Sequence, residues 1–230
     1  MTDIKKTARV AGVLYILMVI TGLFTLMYVP SKLIVKGNPA ETASRILAHE
    51  TLYRIDLVVG LAATIIFMFT ALVLYHLFKE TNQRQAAVML ILVLVQLPQS
   101  FVTQLLQIGA LELLRGADFL MVLDKAQRET MAMLCFHLSD KSTALSEMFW
   151  GLWLFPLGWL VFRSGFLPRF LGIWLILNGV AYVLMSFTGL LRPEFYKLVY
   201  NIALPALLGE LALALWLLFV GARPKPTIAP

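Results

Sequence analysis

Asp56, His76, Glu112, Glu147 and Glu210 are ionisable side chains set inside long apolar stretches of the sequence. In lipid such groups are costly, and where they occur they serve as proton relays, cation sites or buried hydrogen-bonding struts. Asp56, His76 and Glu112 fall near the ends of their stretches, where anchoring at the membrane–water interface accounts for them. Glu210 falls near the middle of the last stretch. Ala203, Ala206 and Ala214 share its helical face, and small residues let helices approach closely. Glu210 is therefore expected to point inward. Ala144, Gly151 and Gly158 mark the face of Glu147 in the same way.

Polar residues recur at helical spacing elsewhere. Gln96, Ser100, Thr103 and Gln107 form one stripe, with Gln99 and Gln104 beside it. Trp174, Asn178, Tyr182 and Ser186 form a second, and Thr21 and Thr25 a short third. Such stripes make hydrogen bonds between helices or line a hydrated cavity. The depths implied by the sequence suggest a dead-ended outward pocket formed by Glu210, Glu147, Thr103, Gln107, Asn178, Tyr182 and Asp56. Other chemistry has little support. His49, His76 and His137 lack metal-ligand spacing. No phosphate-binding glycine loop, H-E-x-x-H or G-x-S-x-G occurs, and no cofactor is indicated. Trp150, Trp153 and Trp159 read as core and interfacial belt.

The elements that carry these residues follow from composition. Of 230 residues 60% are apolar and 14% charged, with a net charge of +6. The apolar surface is more than a water-soluble domain could hide. The basic residues flank apolar runs and form no continuous stripe, which excludes nucleic acid as a partner and fits membrane topology. A span needs about 20 apolar residues. Six segments qualify: Ala8–Tyr28, Arg54–Phe78, Ala86–Leu113, Thr143–Phe162, Phe170–Leu190 and Asn201–Val220. The first follows Lys5, Lys6 and Arg9 but is too long and lacks the small residues of a cleaved signal, so it reads as a retained helix. Pro98 should kink the third span.

Two connections are long. Asn38-Pro39 signals a helix start, and a short helix is expected to about His49. Asp118 to Leu138 is amphipathic and reads as a helix on the membrane surface rather than a seventh span. The density of Lys and Arg places both termini on the cytoplasmic side of the cell membrane. One internal likeness stands out: Gly12 to Phe24 and Gly179 to Leu191 agree at eight of thirteen positions. It starts early in the first span and late in the fifth, so the expected reading is chance similarity at different depths.

Several blocks carry a resemblance. They are Ala8-Arg-Val-Ala-Gly-Val-Leu-Tyr15, Tyr28-Val-Pro-Ser-Lys-Leu-Ile-Val35 and Phe149-Trp-Gly-Leu-Trp-Leu-Phe-Pro-Leu-Gly158. Arg163-Ser-Gly-Phe-Leu-Pro-Arg169 and Leu204-Pro-Ala-Leu-Leu-Gly-Glu210 complete the set. Together they resemble the bacterial integral membrane family catalogued as domain of unknown function 4386, from Ala8 to Arg223. The resemblance implies a multi-helix membrane protein, located in a bacterial inner membrane, and carries over no catalytic residues.

The expected fold is all-α, a single domain over residues 1–230, with six transmembrane helices and short surface helices in the two long outer loops. The leading functional expectation is binding or translocation of a small or amphipathic solute through the outward pocket. Membrane lipids are expected partners, and a lipid or small molecule the expected ligand. The alternatives are an accessory membrane subunit whose polar residues only join helices, and an intramembrane enzyme using Glu147 and Glu210 as acid and base.

Overall fold

The computed structural model describes residues 3–35 and 37–222. Lys36, Arg223 and Lys225, which enter the charge count, lie outside the described residues. In chain order the helices are α1 (Asp3–Leu33), α2 (Pro39–Ala48), α3 (Glu50–Phe78), α4 (Gln83–Arg115), α5 (Lys125–Arg163), α6 (Arg169–Leu191) and α7 (Pro193–Val220). All but α2 are long and apolar enough to cross a membrane. No strand occurs among the described residues. The expected all-α, six-span architecture is the one observed. Large apolar side chains such as Ile20, Val58, Leu105 and Phe219 stand exposed along the spans, the surface that hydrocarbon would cover.

The ends of these helices follow local chemistry. The Asn38 side chain accepts from the Glu41 amide at 3.1 Å and Pro39 takes the first turn, so α2 starts where the sequence indicates. A reciprocal pair opens α5: Asp124 Oδ1 accepts from the Gln127 amide at 2.8 Å, and Gln127 Oε1 from the Asp124 amide at 3.0 Å. This is a capping box with the glutamine in the third position.

The amphipathic stretch behaves differently from the separate surface helix expected over Asp118 to Leu138. Asp118–Leu120 is a single 3₁₀ turn, and from Lys125 one helix of 39 residues runs unbroken to Arg163. At about 1.5 Å per residue it is about 58 Å long, against about 30 Å of hydrocarbon. The reason is local. No glycine or proline interrupts the chain between Lys125 and Trp150, and the polar Ser142 finds partners on α4. Pro98, Pro156 and Pro205 likewise sit within continuous helices.

The chain divides into two compact units. The first comprises Met1–Val19, Ile65–Leu97 and Ala144–Pro230; the second comprises Ile20–Thr64 and Pro98–Thr143. Trp153 centres the first, stacked on Tyr15 at 6.0 Å and meeting Phe67 edge-on at 5.1 Å. All five tryptophans of the sequence fall in this unit. The second packs Val29, Leu33, Ile46, Tyr53 and Leu111 together and contains the lone Cys135.

Within the first unit, α5 and α6 form an antiparallel pair whose register is set at both ends. Ser164 Oγ donates to the Val161 carbonyl and accepts from the Leu167 amide, Gly165 takes φ +73°, and Phe166 and Leu167 are buried. The Arg-Ser-Gly-Phe-Leu-Pro-Arg block is thus a tight turn. Beyond it glycines meet in pairs. A Cβ on Gly158 would lie 2.7 Å from the Gly172 carbonyl, and one on Gly151 would lie 2.6 Å from the Gly179 carbonyl. Glycines seven residues apart on each helix therefore let the two backbones touch.

Candidate functional site

Glu210 lies on α7, buried in the first unit. Its Oε1 accepts from the Tyr15 hydroxyl of α1 at 2.7 Å. Its Oε2 accepts a longer bond, 3.4 Å, from Asn178 Nδ2 of α6, which also reaches the Leu207 carbonyl at 3.5 Å. Tyr182, one turn further along α6, lies within electrostatic reach of the same carboxyl. Two side chains from two helices thus hydrogen-bond one carboxyl, with a third close by. Small residues let those helices come close enough. Gly12, three residues before Tyr15, abuts the backbone of Leu217 and Leu218, and Gly209 packs under the ring of Trp174. The Trp174 indole donates to the Pro205 carbonyl at 2.9 Å, fixing the α6–α7 register.

Glu147, on α5, is the second buried carboxyl of this unit. Its Oε1 accepts from the Tyr196 hydroxyl at 2.5 Å. Its Oε2 is buried and has no partner among the described residues. Asn178 Oδ1 and Ser186 Oγ are buried without partners as well. Tyr182 lies within electrostatic reach of both Glu147 and Glu210 and meets Trp150 edge-on at 5.8 Å. The result is a polar seam within one unit: Tyr196 to Glu147, then Tyr182, then Glu210 with Tyr15 and Asn178.

The other candidates fall in the second unit. Thr103 Oγ1 sits 2.7 Å from Ser142 Oγ and donates to the Gln99 carbonyl, while the Gln99 amide bonds Ser142. The backbone carbonyl of Gln107, rather than its side chain, accepts from the Tyr53 hydroxyl at 2.8 Å. Asp56 is buried one turn after Tyr53, and its Oδ1 has no partner among the described residues. The seven candidates thus divide four and three: Glu210, Glu147, Asn178 and Tyr182 in the first unit, Asp56, Thr103 and Gln107 in the second. His76 is exposed and bonds only within its own helix, Nδ1 to the Leu72 carbonyl.

Two contributors were absent from the expected set, Tyr15 and Tyr196. Tyr196 leaves no sequence signal, because its partner is 49 positions away. Tyr15 does leave one. The internal likeness aligns Gly12-Val-Leu-Tyr15 with Gly179-Val-Ala-Tyr182. The different depths expected for the two copies are corrected by the structure. α1 begins at Asp3, earlier than the apolar run suggested, so Tyr15 lies 12 residues into α1 and Tyr182 lies 13 into α6. Of the aligned tyrosines, Tyr15 hydrogen-bonds the Glu210 carboxyl and Tyr182 lies within electrostatic reach of it.

Six membrane-spanning helices that bury carboxyls among tyrosines define a multi-pass α-helical membrane protein. The chain belongs to the family described as Domain of unknown function (DUF4386), whose profile matches residues 10–221. An uncharacterized protein of Archaeoglobus fulgidus is 31% identical over 85 residues, which is 37% of this chain and 49% of that protein. The chain thus spans about half the length of the curated relative it matches. No solved structure matches.

Proposed function

We propose that this protein binds, and translocates, a small or amphipathic solute that presents hydrogen-bond donors to the polar seam of the first unit. The observation that carries the reading is Glu147. One of its oxygens is held by Tyr196, and the other is a buried acceptor with no protein partner. Buried acceptors are almost always satisfied in native proteins, and Asn178 Oδ1 shares the condition. Two open acceptors favour an ammonium, a hydroxylated solute or a small cation over an anion. Both termini on the cytoplasmic side of the cell membrane, as the basic residues favour, would give the seam access from outside.

A second reading, an accessory subunit without a ligand, draws on Glu210. With Tyr15 and Asn178 already donating to it, this carboxyl works as a strut joining α1, α6 and α7. Mass spectrometry of the gently purified protein separates the two. Solute binding is supported by a stoichiometric donor-bearing compound in the native chain that is lost from Glu147→Gln while the fold is kept. Absence of any such compound from the native chain, with both proteins equally stable, supports the accessory reading.

A further inference from the structure

A cavity of about 450 Å³ opens in the second unit, lined by Tyr28, Lys32, Leu33, Arg45, His49 and Leu52. It lies where α1 ends, α2 follows and α3 begins, at the end of two membrane spans. We propose that it is a binding site for the phosphate-bearing headgroup of an anionic phospholipid.

The lining divides by chemistry. Lys32 and Arg45 supply nitrogen donors, while Leu33, Leu52 and the Tyr28 ring supply an apolar wall. No carboxylate lines the cavity. Lys32 makes no ion pair among the described residues. Arg45 Nη2 is bound to Glu41 at 2.6 Å and Nη1 reaches the Lys32 carbonyl at 3.5 Å, which holds the guanidinium against the end of α1. Its Nε–H and the second hydrogens of the two terminal nitrogens remain for a ligand. His49 Nδ1 lies 3.1 Å from the Arg45 carbonyl, which can only accept, so that nitrogen donates within the chain and the donors to a phosphate are those of Lys32 and Arg45.

The position of Tyr28 depends on the backbone. Phe24–Tyr28 is a π-helical turn within α1, closed by the Val29 amide on the Phe24 carbonyl. Beyond it the helix is α-helical from Val29 to Leu33, and Tyr28 and Lys32, four residues apart, line one cavity. Cations beside an apolar wall at the end of a span match a lipid, whose phosphate sits at the interface while its chains run along the helices. A free phosphate ion would use the cations and leave the apolar wall without a role. The site is separate from the polar seam, and its occupant is of opposite charge preference.

The test uses the full-length protein, stripped of lipid in neutral detergent and titrated separately with phosphatidylglycerol, phosphatidylcholine and inorganic phosphate. Native mass spectrometry counts bound lipid, and inorganic phosphate is tested as a competitor. One phosphatidylglycerol should bind saturably and in preference to phosphatidylcholine. Each basic residue near a membrane surface contributes about a fivefold effect, so the double variant Lys32→Gln/Arg45→Gln should bind at least about tenfold more weakly. Glu41→Gln removes the carboxylate that competes for Arg45 and should bind more tightly, which a purely structural role would not produce. Lys79→Gln, exposed and outside the cavity, should match the native protein. Equal binding by native and double-variant proteins would overturn the site. Displacement of the lipid by inorganic phosphate at matched concentration would overturn the lipid as its occupant.

Discussion

Gly158→Ala tests the close contact between α5 and α6. The added Cβ would sit 2.7 Å from the Gly172 carbonyl oxygen and 2.8 Å from Ile176 Cγ1. Ordinary contact begins near 3.4 Å, so the helices must part by about 0.7 Å or bend locally, an overpacking of the kind that costs about 1–3 kcal/mol. The carbonyl is backbone and cannot swing aside as a side chain can. Alanine gains up to about 1 kcal/mol over glycine in helix propensity, which leaves a net loss of about 0–2 kcal/mol. Gly22→Ala is the control, because its Cβ meets nothing within 4 Å and only the propensity gain remains. Unfolding in mixed micelles of rising dodecyl sulfate fraction, followed by far-ultraviolet circular dichroism, gives both values. Gly158 and Gly172 share one contact, since a Cβ on Gly172 would in turn lie 2.5 Å from the Gly158 carbonyl. The two alanine substitutions should therefore cost less together than the sum of their separate costs. Gly158→Ala matching Gly22→Ala in stability would refute the close approach.

Three other outcomes are expected. Tyr15→Phe should lose about 1–2 kcal/mol, and the loss should shrink in a Glu210→Leu background; a loss unchanged there would detach the tyrosine from the carboxyl. Gln96→Met should stabilise the protein by about 1–3 kcal/mol, because both polar atoms of this buried amide lack partners; a loss of stability would show that both are satisfied in the native protein. Topology reporters fused after Pro230 and within the Gly116 to Ser142 segment should give opposite signals, and matching signals would refute six spans with both termini cytoplasmic.

The spans were legible because 20-residue apolar runs have one physical solution in lipid. Their ends were harder. α1 begins at Asp3 and α5 at Lys125, each ahead of its apolar run, because a helix needs only unbroken backbone bonding while hydropathy marks only the part in hydrocarbon. The inward placement of Glu210 followed from alanines on its face. Asn178 was legible beside it from the polar stripe of α6, but Tyr15 was not, since it is 195 positions distant and no local pattern encodes that pairing. The one signal that does point to Tyr15 is the likeness of its segment to that of Tyr182, a match of thirteen positions that does not extend further and so reads as chance in an apolar sequence. Gln107 shows the opposite failure. Its place in a polar stripe suggests side-chain chemistry, yet its contact with Tyr53 runs through the backbone carbonyl.

The distribution of chromophore and thiol between the two units has a practical consequence. Every tryptophan lies in the first unit and the single cysteine in the second. Indole emission and the rate of Cys135 alkylation are therefore separate readouts of local opening, with no label or substitution introduced. If the two transitions coincide along a denaturation series, the chain unfolds as one cooperative body. If the thiol becomes reactive while indole emission is still native, the second unit opens on its own, at a lower free energy than the whole.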